Sequence, residues 1–213
     1  MESNRYIAPP GFPENQGLYD SRNEHDACGI GFVANIKGRK SHAIVEQGLQ
    51  VLVNLTHRGA VGADPKSGDG AGILIQIPDA FYREECSKLG FELPQPGDYG
   101  VGMVFLPQDP VRRKACEDAI AMYTIQEGQS LLGWRDVPLD ASDLGESVKE
   151  NTPVIRQVFI GRGENCTDTD ALERKLFVIR KQATRENDEL SNSLGDFYVV
   201  SLSARTVVYK GMV

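Results

Sequence analysis

The sequence predicts an α+β fold with stacked sheets, on three observations. Strand-like apolar runs and helix-period runs mix along the chain without the regular strand–helix–strand rhythm of a doubly wound fold. The 213 residues fit one domain and suffice to bury a core. With 40% hydrophobic and 25% charged residues, and no internal repeat or low-complexity tract, fibrous and disordered classes are excluded.

The elements follow in order. Residues up to Ala27 are turn-rich (Pro9, Pro10, Gly11, Pro13, Gly17) and read as an irregular leader. Cys28 to Ile36 reads as a buried strand. Ser41 opens a helix with Ile44, Gly48, Leu49, Leu52 and Leu55 at helical spacing, which is expected to stop near His57-Arg58-Gly59. After a glycine-laden loop, "AGILIQIP" (Ala71 to Pro78) is a strand. A short helix from Asp79 is expected to carry Tyr82, Cys86 and Leu89 on one face. "YGVGMVFLP" (Tyr99 to Pro107) is a further strand, and Asp109-Pro110 pairs a cap with a first-turn proline for a helix to about Glu127.

"QSLLGWRDV" and "PVIRQVFIGR" read as strands separated by an acidic loop, Asp136 to Thr152. Asp170 and Glu173 suggest a capping box for a helix to about Glu186, with Leu172, Leu176, Ile179 and Ala183 inward. "DFYVVSLSARTVVYKG" reads as two strands with a tight connection.

Composition narrows the function. A net charge of −7 argues against nucleic acid as partner, because phosphates are neutralised by clustered Lys and Arg. No apolar run approaches membrane-spanning length. The N-terminus lacks a secretory apolar region and is too acidic for a typical transit peptide, so a cytoplasmic setting with free thiols is expected. Cys28, Cys86, Cys116 and Cys166 form no C-x-x-C pair, so no metal site is expected.

Cys28 is the residue with the most chemical promise. A cysteine opening an apolar strand is commonly a small buried hydrophobe. Here Gly29 and Gly31 flank Ile30 and remove side chains where a ligand or another backbone could approach. A thiol becomes a good nucleophile once deprotonated, and an N-terminal amine is a suitable local base, with a pKa of about 8. Cleavage of the Ala27–Cys28 bond would supply both groups on one residue.

The second stretch is "THRGAVGADPKSGDGAG", Thr56 to Gly72. His57 suits an acid–base role or a helix-end cap, and Arg58 suits two-pronged carboxylate binding or a surface ion pair. The loop's five glycines match neither a P-loop nor G-x-G-x-x-G, so a tight loop letting backbone approach a site is the better reading.

"HDACGIGFVANIKG", "LTHRGAVGADPKSGDGAGILIQIP" and "YGVGMVFLPQD", with "FYVVSLSARTVVYKGMV" near the end, resemble the class-II glutamine amidotransferase domain that opens glutamate synthase large subunits. The resemblance runs from about Glu24 to Val213. It implies the αββα four-layer sandwich of N-terminal-nucleophile hydrolases, incomplete at the C-terminus, with residues 1–27 as a propeptide and 28–213 as the N-terminal part of the domain.

It further implies that the Cys28 thiolate attacks the side-chain amide of glutamine, releasing ammonia and leaving a γ-glutamyl thioester. Arg58, with Gly29 and His57, is expected to bind substrate or orient the site. Ammonia would pass to downstream synthase domains that make glutamate from 2-oxoglutarate. Those domains would use FMN and an iron–sulfur cluster, fed by a small electron-donating subunit or ferredoxin; this chain itself is expected to bind neither cofactor.

The family's oxyanion Asn-Gly pair and amino-acid clamp are expected beyond Val213, so the isolated chain is expected to be inactive. Two other readings of the residues stand beside this one. In one, the fold is a non-catalytic interaction or regulatory module, in which the leader would be retained. In the other, Cys28 is a redox-sensing thiol, which would require a spatial partner among Cys86, Cys116 and Cys166.

Overall fold

A computed structural model of the chain describes residues 29–56, 66, 70–190 and 197–211. The elements are α1 (His42–Asn54), β1 (Gly72–Gln76), α2 (Asp79–Lys88), β2 (Tyr99–Leu106), α3 (Pro110–Gln126), β3 (Ser130–Asp136), α4 (Glu146–Lys149), β4 (Val154–Gly161), α5 (Thr169–Leu190), β5 (Tyr198–Ser203) and β6 (Thr206–Lys210). The strands form two antiparallel sheets, a four-stranded one in the order β3-β4-β2-β5 and a two-stranded β1-β6 ribbon. The mixed helix-and-sheet class and the stacked sheets expected from the sequence are both present.

Burial explains the layering. β2 is covered on both faces along its whole length, as its unbroken apolar run requires. On one face Val104 and Leu106, with Val158, Ile160, Val199 and Leu202 of the neighbouring strands, meet Cys116 and Ile120 of α3 and Leu172, Leu176, Ile179 and Ala183 of α5. On the other face Val101, Met103 and Phe105, with Ile155 and Phe159, meet Tyr82 and Cys86 of α2 and Val207 of β6. The four α5 residues expected inward are all fully buried, and each Leu or Ile among them is worth about 1.5–3 kcal/mol of burial. A Cβ at Gly100 would lie 2.4 Å from Leu176 Cδ1, so this glycine sets how closely α5 can seat on β2.

Local chemistry sets the ends. Asp109 caps α3 by accepting from the Arg112 amide at 2.8 Å, with Pro110 in the first turn, as expected. β5 and β6, joined through Ala204 and Arg205, belong to different sheets. Ser203 Oγ accepts from the amides of Arg205 at 3.0 Å and Thr206 at 3.2 Å, and Ser201 Oγ accepts from the Val208 amide at 3.1 Å. These serines turn the chain from one sheet to the other.

Several expectations are corrected. Residues 29–36 form no strand, and Ile30, Phe32 and Ile36 are 92–103% exposed. Alternating apolar residues make a strand only where a sheet edge accepts them. The neighbour here is a helix: a Cβ on Gly31 would sit 2.5 Å from Val51 Cγ1 of α1.

Leu49 of α1 is 47% exposed, and Leu89 is 53% exposed at the C-cap of α2, where the chain leaves the helix before its next inward position. The N-cap of α5 is Asp168, whose Oδ1 accepts from the Ala171 amide at 2.8 Å. Asp170 instead pairs with Arg205, and Glu173 accepts from Ser203 Oγ at 2.8 Å and the Ala204 amide at 2.6 Å. α5 extends to Leu190 rather than Glu186, and the acidic loop contains α4. The expected stop at Gly59 lies outside the described residues; α1 ends at Asn54 with Leu55 as its C-cap.

Candidate active site

Of the four expected site residues, Cys28, His57 and Arg58 lie outside the described residues, and Gly29 is exposed in irregular backbone. The described elements that flank these positions in sequence are α1 and β1. Gly31 lies against Val51 of α1, and a Cβ on Gly48 of α1 would come 2.9 Å from Ile73 Cδ1 of β1. Small residues thus let α1 approach both the 29–36 segment and the ribbon. The same helix leads through Thr56, whose Oγ1 donates to the Val53 carbonyl at 2.7 Å, into the His57-Arg58 stretch. On the far side of the glycine-laden loop, Gly70 adopts φ 79°, a left-handed conformation that glycine tolerates best.

Under the ribbon is a buried polar chain that the sequence did not announce. Gln157, fully buried on β4, donates from Nε2 to the Tyr82 hydroxyl at 3.0 Å and the Tyr209 hydroxyl at 2.9 Å. The two hydroxyls bond each other at 2.9 Å. Gln157 Oε1 accepts from Arg135 Nη1 at 3.1 Å, and Arg135 reaches Glu85 Oε2 from Nη2 at 2.9 Å while its guanidinium lies over Phe81. The available signal was Arg135 and Gln157 at strand positions beside the apolar runs of β3 and β4, where a polar side chain that becomes buried must find a partner. Burial, then the neighbouring Tyr209, holds the Tyr82 phenol well above its ordinary range.

The described thiols contrast with what a nucleophile needs. Cys86 is fully enclosed, and burial pushes its pKa up to about 11. Cys116 is buried in the opposite cluster under α3, and Cys166 Sγ lies 3.6 Å from Gln129 Oε1. Among the described residues no group of three or more His, Cys, Asp or Glu could hold a metal ion. Cys86 and Cys116 occupy opposite faces of the four-stranded sheet, so the described cysteines do not fit an iron–sulfur cluster. Among the same residues no helix is long and apolar enough to cross a membrane.

The family model for "Glutamine amidotransferases class-II" matches residues 28–213. The chain belongs to this family. It is 51% identical over 200 residues to "Glutamate synthase [NADPH] large chain" of Bacillus subtilis, covering 94% of this chain and 13% of that one. It is 40% identical over 190 residues to "Ferredoxin-dependent glutamate synthase 2" of Synechocystis sp., covering 89% and 12%. It is likewise 40% identical over 207 residues to "Glutamate synthase [NADH]" of Schizosaccharomyces pombe, covering 93% and 10%. The chain therefore spans only about an eighth to a tenth of the length of these curated relatives.

Proposed function

We propose that residues 28–213 belong to the glutamine-hydrolysing domain of a glutamate synthase, that residues 1–27 are a removable leader, and that Cys28 is the nucleophile. The observation that carries this reading is the boundary of the family match, which begins at Cys28, the residue whose thiol and freed amine would act together.

The amine of Cys28 takes the thiol proton, and the thiolate adds to the side-chain carbonyl carbon of glutamine. The ammonium returns that proton to the amide nitrogen, the C–N bond breaks and ammonia leaves. Water then adds to the γ-glutamyl thioester, giving up a proton to the amine. The C–S bond breaks, glutamate departs and the thiolate regains its proton. Arg58, with His57 and Gly29, orients the Cys28 backbone and the substrate carboxylate.

The ammonia would be consumed downstream in the same polypeptide, where 2-oxoglutarate becomes glutamate. FMN and an iron–sulfur cluster would serve that half, supplied by a small electron-donating subunit or ferredoxin. The finer fold reading is the αββα sandwich. Its support is the order of the described layers: α3 with α5, the four-stranded sheet, then the β1-β6 ribbon. The outer face of that ribbon, where Leu74 is 64% exposed, is where a fourth, helical layer would lie.

The test is Cys28→Ala in the full-length protein. Glutamine-dependent glutamate formation should disappear while ammonia-dependent formation persists. Retention of both would favour a non-catalytic module.

A further inference from the structure

The buried polar chain joins the four-stranded sheet to the ribbon at one point. Gln157 has two amide hydrogens, one held by Tyr82 of α2 and one by Tyr209 of β6. Arg135 can only donate, so its bond to Gln157 Oε1 fixes which end of the amide faces the tyrosines. Tyr209 is the cross-strand partner of Ile73 on β1, and Ile73 is the residue that meets Gly48 of α1. A contiguous path therefore runs from Gln157 through Tyr209 and Ile73 to α1, which borders Gly31 and leads into His57-Arg58.

We propose that Tyr209 is a positioning residue for glutamine hydrolysis, its hydroxyl fixing how the ribbon and α1 sit over the four-stranded sheet. This rests on the reading of Cys28 and Arg58 given above. Tyr82 shares the same amide and the same tyrosine–tyrosine bond, but it sits on α2 and its loss leaves the Gln157–Tyr209 bond in place. Both hydroxyls serve the core, but of the two only Tyr209 stands on the ribbon, which Ser201 also holds through the Val208 amide.

The experiment compares Tyr209→Phe and Tyr82→Phe in the full-length enzyme, reading thermal midpoint and the ratio of glutamine-dependent to ammonia-dependent turnover. Both variants should lower the midpoint similarly. Tyr209→Phe should reduce the ratio about tenfold to a hundredfold, chiefly in kcat for glutamine, because a small misplacement of reacting groups is costly. Tyr82→Phe should stay within about twofold.

An unchanged ratio in Tyr209→Phe, or an equal fall in both variants, overturns the proposal. Should Tyr209→Phe fail to accumulate, Gln157→Met must lose the ratio and Gln157→Glu, which can accept from both hydroxyls, must keep it; the same ratio in both overturns the proposal. Cys28→Ala measured in parallel separates the two claims, since glutamine-dependent turnover surviving there sinks the nucleophile reading instead.

Discussion

Arg135 on β3 and Gln157 on β4 are cross-strand partners, and Arg135 Nη1 donates to Gln157 Oε1 at 3.1 Å. The bond lies in an otherwise apolar cluster, so each group in the chain depends on the next. Gln157→Leu removes the shared amide and leaves the Arg135 and two tyrosine hydroxyl partners short. The expected cost is about 1–3 kcal/mol in unfolding free energy. Urea titration checks it, and an unchanged or higher midpoint would show that the network does not hold the sheets.

Stability should fall in alkali. Burial raises the Cys86 thiol to about 11 and raises the Tyr82 and Tyr99 phenols above their usual range, Tyr99 also through its bond to Asp79. The folded state therefore keeps these protons longer than the unfolded chain, where a thiol titrates near about 8.5 and a phenol near about 10. The contribution is complete below the unfolded values and is lost as pH rises through them toward the folded ones. The urea midpoint should hold up to about pH 8.5 and decline above it. A rising midpoint over that range would contradict the burial argument.

Two aspartates compete for the start of α5, and their variants should differ. Asp168→Ala removes the side chain that binds the Ala171 amide, lowering Tm by about 2–4 °C. Asp170→Ala loses only an exposed pair with Arg205 and should change Tm by less. The reverse order in a thermal melt would restore Asp170 as the cap.

The α5 start shows where sequence reasoning reached its limit. "TDTDALE" offers two capping residues two positions apart, and only the approach of Arg205, Ser203 and Ala204 from the β5-β6 corner commits Asp170 and Glu173 elsewhere. The inward face Leu172, Leu176, Ile179 and Ala183 was legible because helical periodicity is local. Asp109-Pro110 was legible for the same reason. The fate of residues 29–36 was not, because an alternating run needs a partner edge that sequence does not display. Gln157 and Arg135 were likewise opaque, since their partners come from α2 and β6, far along the chain. For the candidate site, the sequence singled out Cys28, Gly29, His57 and Arg58. The Tyr209 hydroxyl bonds were beyond its reach, since they join residues up to 127 positions apart.

The 213-residue chain produced alone should self-associate as its concentration rises. Ile30, Phe32 and Ile36 are almost wholly exposed, and the two-stranded ribbon has unpaired outer edges among the described residues. Light scattering behind size exclusion should show mass increasing with loading, and Phe32→Lys should reduce the increase. A constant monomer mass at high micromolar loading would refute this.

In the proposed reaction Cys28, freed at its own N-terminus, attacks glutamine. The most direct measurement of this step is peptide mass mapping of active full-length enzyme treated with a glutamine analogue bearing an electrophilic ketone. The expected product is a labelled peptide that begins at Cys28, with activity lost in proportion to the label. Fully active enzyme whose first residue is Met1, or label on Cys86, Cys116 or Cys166 tracking the loss of activity, would contradict it.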